Sequence, residues 1–259
     1  MKKNIYLDFG GEFSLNERLS KIKARGFDGI FIFYDEFRKL EPIVKAAKMH
    51  ALDVETMHLP FKGCNRIWRD DETGEEYKNL LIDGVRLASK LAIPTVIMHL
   101  VGGLNRPRPN EIGAKRIAEI IKVCEEHKIN LALENVRETL HNDYIFSKIK
   151  SPYLKMCFDF GHVNCFTQNT YEFDFETYCE YLICCHIHDN DGTFDHHHLP
   201  FTGNVDYKYI VEKLKAIGFN GPLTSEARND DYGYPEEEFI DKVFMALTKI
   251  ESYFGDENE

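Results

Sequence analysis

The sequence predicts an α/β chain folded as one (β/α)₈ barrel domain over residues 1–259, with the last few residues forming a disordered tail. Three observations carry this reading. Eight short, apolar runs alternate with longer stretches of helical spacing, the order that builds a parallel sheet. Their number and the 259-residue length suit a barrel of eight such units, which takes about 250 residues. The competing open, doubly wound sheet carries a Gly-rich phosphate loop after its first strand. Here only the pair Gly10-Gly11 follows, with no G-x-G-x-x-G.

The strand runs are Ile5–Phe9, Gly29–Tyr34, Asp53–Leu59, Thr95–Leu100, Asn130–Asn135, Leu154–Asp159, Leu182–His188 and Pro222–Ala227. Each is rich in apolar residues and too brief for a buried helix. Helical spacing fills the intervals. Leu15–Arg25 stops at Gly26, Phe37–His50 carries Ile43, Val44 and Ala47, and Tyr77–Leu91 carries Leu80, Leu81, Val85, Leu87 and Ala88. Asn110–His127 carries Ile112, Ile117, Ile120, Ile121 and Val123, and Asp206–Ile217 stops at Gly218. Glycine just past the last apolar position is the expected helix stop. The long loops, Phe61–Glu76, Val101–Pro109, Phe160–Phe173 and Asp189–Val205, all follow strands, whereas segments entering strands, such as Ala92–Pro94, are short. Barrels carry their chemistry on the loops after the strands, so the site is expected at that face.

Composition narrows the function. At 43% hydrophobic residues the chain can bury a substantial core. A formal charge of −11 repels phosphate backbones and argues against sequence-independent nucleic-acid binding. No apolar run approaches the roughly 20 residues that span a bilayer. The start, Met1 to Phe9, lacks the apolar core of a signal peptide, which makes the cytoplasm the expected location. The seven cysteines read as free thiols, since they form no Cys-x-x-Cys pair and sit mostly in apolar runs such as Cys184-Cys185.

The informative pattern lies at the strand ends. His58 closes the third run, His99 the fourth, Glu134 the fifth and Asp159 the sixth, with His162 one turn beyond. His186 and His188 close the seventh, Glu226 closes the eighth, and Asp195 and His197 follow in the seventh loop. One such histidine is more often a hydrogen-bonded structural residue than a ligand, and one such carboxylate can cap the next helix. As a set converging on one barrel mouth they would repel and desolvate one another unless a cation neutralised them. Imidazole with carboxylate suits Zn²⁺, Mn²⁺ or Fe²⁺, and carboxylate alone would suit Mg²⁺ better.

Other groups are weaker signals. His196-His197-His198 belongs to an ordered loop with Asp195 and Leu199-Pro200, and Cys124 with His127 is plain helical spacing. Lys62, Arg66, Arg69, Arg106, Arg108 and Arg137 read as solvated charges. Arg228, two residues beyond Glu226, shares its side of the barrel and is a candidate substrate ligand. Trp68 and Phe61 either line the pocket or pack their loop.

On these residues the chain resembles the xylose isomerase-like TIM-barrel superfamily, which takes in sugar-phosphate isomerases and epimerases, inosose isomerases, ketose 3-epimerases and endonuclease IV. The segments are Met57-His58-Leu59-Pro60-Phe61, Ile97-Met98-His99-Leu100, Leu133-Glu134-Asn135, Phe158-Asp159-Phe160-Gly161-His162, His186-Ile187-His188-Asp189, Asp195 to Asp206, and Thr224-Ser225-Glu226. The resemblance implies Glu134, Asp159, His186 and Glu226 as metal ligands, with His188 the alternative to His186. It implies Glu134 and Glu226 as acid and base on opposite faces of the substrate, with His162 orienting substrate or Asp159. The endonuclease IV branch implies a larger three-zinc set on His58, His99, Glu134, Asp159, His162, His186, Asp195, His197 and Glu226. One to three divalent ions, zinc or manganese, are therefore expected. One departure is Pro200-Phe201-Thr202-Gly203, where relatives read Pro-Gly-x-Gly.

The expected function is a divalent-metal-dependent isomerase or epimerase of a sugar, sugar phosphate or cyclitol, working through an enediolate. Its partner would be a small-molecule carbohydrate, with no nucleic acid and no membrane, and self-association as a homo-oligomer stays open. The alternatives are metal-dependent phosphodiester hydrolysis at abasic DNA and a non-catalytic metal- or sugar-binding barrel.

Overall fold

A computed structural model describes residues 1–35, 39–166 and 170–255. Eight parallel strands close into one barrel in chain order, each followed by a helix. The strands are β1 (Lys3–Tyr6), β2 (Gly29–Phe33), β3 (Asp53–His58), β4 (Thr95–Met98), β5 (Asn130–Glu134), β6 (Leu154–Asp159), β7 (Leu182–Ile187) and β8 (Leu223–Ser225). The helices are α1 (Leu15–Arg25), α2 (Leu40–Met49), α3 (Glu72–Leu91), α4 (Glu111–His127), α5 (Leu140–Lys148), α6 (Phe160–Phe166), α7 (Tyr207–Ala216) and α8 (Glu236–Gly255).

Several bounds differ from the sequence expectation. The first strand ends at Tyr6 rather than Phe9, because Gly10 and Gly11, at φ 100° and 126°, turn the chain away from the sheet. The Phe61–Glu76 segment is not all loop. It holds a 3₁₀ turn at Cys64–Trp68, and α3 begins at Glu72, where the Asp71 carboxylate accepts the Gly74 N–H at 3.1 Å. The Phe160–Phe173 segment holds α6, started by Asp159 Oδ1 accepting the His162 N–H at 2.6 Å. The expected helix start at Phe37 and the expected disordered tail at 256–259 lie outside the described residues.

Strand periodicity sets the site. Phe31, Ile97, Ala132, Cys157 and Cys184 form a small apolar cluster of their own, apart from the main core. Two residues further along each strand, on the same face, come Phe33, His99, Glu134, Asp159 and His186. An apolar layer therefore closes the barrel beneath a polar one. The register pairs Asp159 with His186, whereas Glu134 pairs with Cys157 of the apolar layer. On the outer face α8 buries Phe239, Ile240, Val243, Leu247 and Ile250, at helical spacing.

All seven cysteines are free thiols, and only Cys179 is exposed. Among the described residues no helix is long and apolar enough to cross a membrane. Ser14 caps α1 with a reciprocal Ser14–Glu17 box on an exposed turn. Ser14→Ala is expected to cost about 1 kcal/mol in a urea unfolding curve, with the secondary structure unchanged. No shift in the midpoint would mean that the box contributes nothing.

Candidate metal centre

Glu134 is the hub. Its carboxylate, at the end of β5, has no solvent exposure. Oε2 faces His58 Nε2 at 3.2 Å and His99 Nε2 at 2.8 Å, and Oε1 faces His186 Nδ1 at 3.0 Å. His186 Nδ1 also lies 3.2 Å from Glu226 Oε2 and 4.0 Å from Asp159 Oδ2. Asn135 and Asp159 lock the two strand ends together, through Asn135 Nδ2 to the Asp159 carbonyl at 3.0 Å and the Asp159 N–H to Asn135 Oδ1 at 2.7 Å.

A second group sits beside the first. His162 Nε2 is 3.3 Å from Asp195 Oδ2, His197 Nε2 is 3.4 Å from the same oxygen, and His188 Nε2 is 3.4 Å from Asp195 Oδ1. Among the described residues four sets place one donor atom per residue within 4.8 Å of one another: His58, His99 and Glu134; Glu134, Cys157 and His186; Glu134, Asp159, His186 and Glu226; and His162, His188, Asp195 and His197. The structure therefore brings together every strand-end histidine and carboxylate singled out above.

Ring tautomers test whether cations fit. His58 Nδ1 lies 2.6 Å from the Leu59 carbonyl, His162 Nδ1 3.1 Å from the Asn135 carbonyl, and His197 Nδ1 3.2 Å from the Glu226 carbonyl. A carbonyl only accepts, so each Nδ1 carries the proton. Each neutral ring then turns a bare Nε2 toward a carboxylate oxygen, an arrangement that needs positive charge between the two. A histidine with one nitrogen anchored on a carbonyl and the other turned inward is the usual posture of a metal ligand. His186 Nε2, Asp159 Oδ2 and both nitrogens of His188 are buried with no hydrogen-bond partner. The donor set fits a divalent cation.

Without a cation, protons supply that charge. Burial alone would lower His186 and His162, yet the carboxylates facing each ring hold it well above its ordinary value, Glu226 and Glu134 for His186 and Asp159 and Asp195 for His162. His197, opposed by burial but hydrogen-bonded to Asp195, is raised to about 9. Burial pushes Asp195 up, and the His162 charge overrides this and holds it far below the carboxylate range. Glu226, likewise pushed up by burial, is held at about 2 by His186. Burial dominates at His99, which is lowered despite Glu134 beside it.

Above these groups opens a cavity of about 240 Å³. Tyr6, Phe33 and Phe61 form its apolar wall, and His58, His99, His162, Asp195, His197 and Glu226 form the polar one. Phe33 stacks on His58 at 4.9 Å. Arg228 sits at the rim, half exposed and paired with Asp230 at 2.6 Å. Phe61 lines the cavity, but Trp68 does not. Trp68 is buried under its loop with its indole N–H on the Leu100 carbonyl at 2.7 Å, so it packs the loop. Tyr6 and Phe33 were missed in the sequence, although both end inward-facing strands. A larger cleft of about 1050 Å³ beside α5 contains none of the expected site residues.

The seventh loop is held closely. Asp189 and His198 form an antiparallel bridge, and a Cβ at Gly203 would lie 2.1 Å from the Asn190 carbonyl oxygen, so that position takes only glycine. Phe201, at the position where the resemblance implies glycine, adopts φ 70°, and His197 adopts φ 52°. Both are left-handed conformations that a non-glycine residue enters at a cost.

The chain belongs to the family described as xylose isomerase-like TIM barrel, which matches residues 19–249. Two curated relatives are each 26% identical to it. One is Uncharacterized protein MJ1311 of Methanocaldococcus jannaschii, over 83% of this chain and 80% of that one. The other is Uncharacterized protein y4fM of Sinorhizobium fredii, over 66% of this chain and 59% of that one, so the match spans less than two thirds of that relative. Among solved structures, the IolI protein with a binding zinc atom has a TM-score of 0.79 at 18% identity, covering 98% of this chain and 99% of that one. L-ribulose 3-epimerase has a TM-score of 0.79 at 17% identity, covering 98% and 96%. These structural likenesses establish the shared fold.

The ring of ion pairs gives a pH prediction for chelator-stripped protein. His197 rises from 6.5 to about 9, so its contribution to stability is full below pH 6.5 and is lost as pH climbs through 9. Glu226 falls from 4.5 to about 2, so its contribution is full above pH 4.5 and is lost as pH drops through 2. The melting temperature of the stripped protein should therefore decline between pH 6.5 and 9. A flat profile there would contradict the pairing.

Proposed function

We propose that this protein is a divalent-cation-dependent isomerase of a small sugar, sugar phosphate or cyclitol. The carrying observation is a monosaccharide-scale cavity whose polar wall includes a carboxylate, Glu226, that also belongs to a four-residue cation set. The fold shared with a sugar epimerase and with a zinc-holding IolI protein agrees with this reading. So does the chemistry of the set, since imidazole with three carboxylates suits zinc or manganese. Seven free thiols fit a reducing, cytoplasmic setting.

Glu134, Asp159, His186 and Glu226 would hold the ion. A cation there supplies Lewis acidity, drawing electron density from a substrate carbonyl and so acidifying the adjacent C–H. Glu226, on the cavity wall, takes the proton from the carbon next to the carbonyl, and the electron pair of that C–H bond passes to the carbonyl oxygen as an enediolate. Returning the proton to the former carbonyl carbon, while the hydroxyl on the deprotonated carbon passes its own proton to the former carbonyl oxygen and becomes the new carbonyl, gives the isomer. Tyr6, Phe33 and Phe61 face the apolar C–H side of the sugar and exclude water. His162, fixed by the Asn135 carbonyl, orients a substrate hydroxyl.

Glu134 cannot mirror Glu226. It lies behind His58 and His99, off the cavity wall, with both carboxylate oxygens engaged. Inversion at one carbon needs proton-transfer groups on both faces, whereas a 1,2-shift needs only one. The geometry therefore favours isomerisation through Glu226 alone over the two-glutamate epimerisation implied by the resemblance. Phosphodiester cleavage at abasic DNA gains no support from a 240 Å³ cavity that has Arg228 as its only Lys or Arg among the described residues, in a chain of net charge −11.

The test is NMR of α-deuterated ketoses, aldoses and inososes incubated with metal-loaded protein. Turnover of one of them should carry part of the label to the neighbouring carbon, and Glu226→Gln should slow it by about 10²–10⁴-fold. Complete washout with inversion at one carbon would replace isomerisation with epimerisation. No α-proton exchange across the panel would leave a non-catalytic binding barrel.

A further inference from the structure

The cleft beside α5 is more than four times the size of the mouth cavity, about 1050 Å³ against 240 Å³, and the reaction proposed above does not use it. Arg106, in the loop after β4, and Arg137, in the loop after β5, both line it. In the sequence they read as solvated charges. In the fold each is half-buried, and the Nε of each is buried with no hydrogen-bond partner. Arg106 is steered by its Nη1, which donates to the Gly103 carbonyl at 3.1 Å, and its Nη2 stands 3.6 Å from Glu138. Arg137 is held differently. Among the described residues it makes no ion pair, and its guanidinium lies 3.7 Å over the Phe166 ring.

A ring face fixes a guanidinium without engaging its N–H groups, which stay free to fork onto the oxygens of an anion. In a chain of net charge −11, an arginine seated on a ring instead of a carboxylate is placed for an anion from outside. The positive end of α5 adds to this. Thr139, which starts the helix, lines the same cleft, and its side chain makes no capping bond to the helix.

We propose that this cleft is a second small-molecule site, for a phosphomonoester with a hydroxylated body such as a sugar phosphate or a nucleoside monophosphate, and that Arg106 and Arg137 hold its phosphate. The remaining lining selects the body. Phe146, Phe173, Tyr178 and Tyr181 offer ring surface to a flat or apolar face, and Asp143, Glu172 and Asp174 offer acceptors to hydroxyls. The same carboxylates repel a second phosphate, so the site prefers a monoester to a polyphosphate. His162 lines the mouth cavity, Phe166 lines the cleft, and their rings stack 5.1 Å apart, so the two spaces are neighbours. Among the described residues they share no lining side chain, and the proposal does not depend on the reaction assigned to the mouth.

The experiment is isothermal titration calorimetry of the metal-loaded, full-length protein with a hexose 6-phosphate, a nucleoside 5′-monophosphate, and the same two bodies without phosphate. At least one phosphomonoester should bind, with its unphosphorylated counterpart weaker by about tenfold or more. Arg137→Gln should weaken that binding by about 10- to 100-fold, with circular dichroism confirming the fold. Arg106→Gln, in the neighbouring loop, should weaken it in the same direction. Arg228→Gln, at the rim of the mouth cavity, should leave it unchanged. A phosphomonoester held at the mouth as a substrate would show the opposite pattern, indifferent to Arg137→Gln and weakened by Arg228→Gln, and that pattern would overturn the proposal. So would the absence of binding by either phosphomonoester at millimolar concentration. None of these readouts requires turnover, so a failed isomerase assay leaves the result intact.

Discussion

A carboxylate with no access to water, ringed by imidazoles at the ends of β3, β4 and β7, is the constraint on which this barrel mouth depends. Glu134 faces His58, His99 and His186 within 3.2 Å. An isolated ion so placed would cost several kcal/mol, and the attraction of its neighbours offsets that only if they carry positive charge. His58 cannot supply it as a neutral ring, because its proton is committed to the Leu59 carbonyl. Either protons accumulate on the histidines or cations sit between the donors. The same choice recurs at Asp195, where His162 and His197 also have one nitrogen committed to the backbone.

The barrel makes this arrangement inexpensive to build. Period-two alternation points every second residue inward, so the polar residues that end the strands converge on one mouth. The apolar cluster of Phe31, Ile97, Ala132, Cys157 and Cys184 closes the barrel below, so the polar layer is wet only from above. Burial, which strengthens each ion pair, and the small cavity, which excludes water from a reacting carbon, are two results of the same layering. Mouth residues divide by position: Glu226 reaches the cavity, whereas Glu134, Asp159, His186 and His188 stand behind its wall.

Much of this was legible in the sequence, for a local reason. Strands β2 to β8 fall within the apolar runs because buried parallel strands are continuous in hydrophobicity, and the polar residues that end them stand out against that background. Helices were less evident. In α5 the buried positions include His141 and Asn142, so its inward face does not read as apolar. In α6 the helix starts directly on Asp159, a residue already read as a site group. Trp68 shows the limit of residue type. An aromatic residue in a site-facing loop could turn either way, and only its hydrogen bond to Leu100 settles the direction. The withdrawal of Glu134 behind His58 and His99 is a matter of depth, which spacing along the chain does not encode.

Anomalous diffraction at the zinc edge, from crystals grown with the metal, tests the account most directly. It predicts a peak among Glu134, Asp159, His186 and Glu226, at bonding distance from Glu134. A well-ordered barrel mouth with these side chains as placed here, water among them and no anomalous signal would show that protons alone hold the site together, and the metal-centred account would fail.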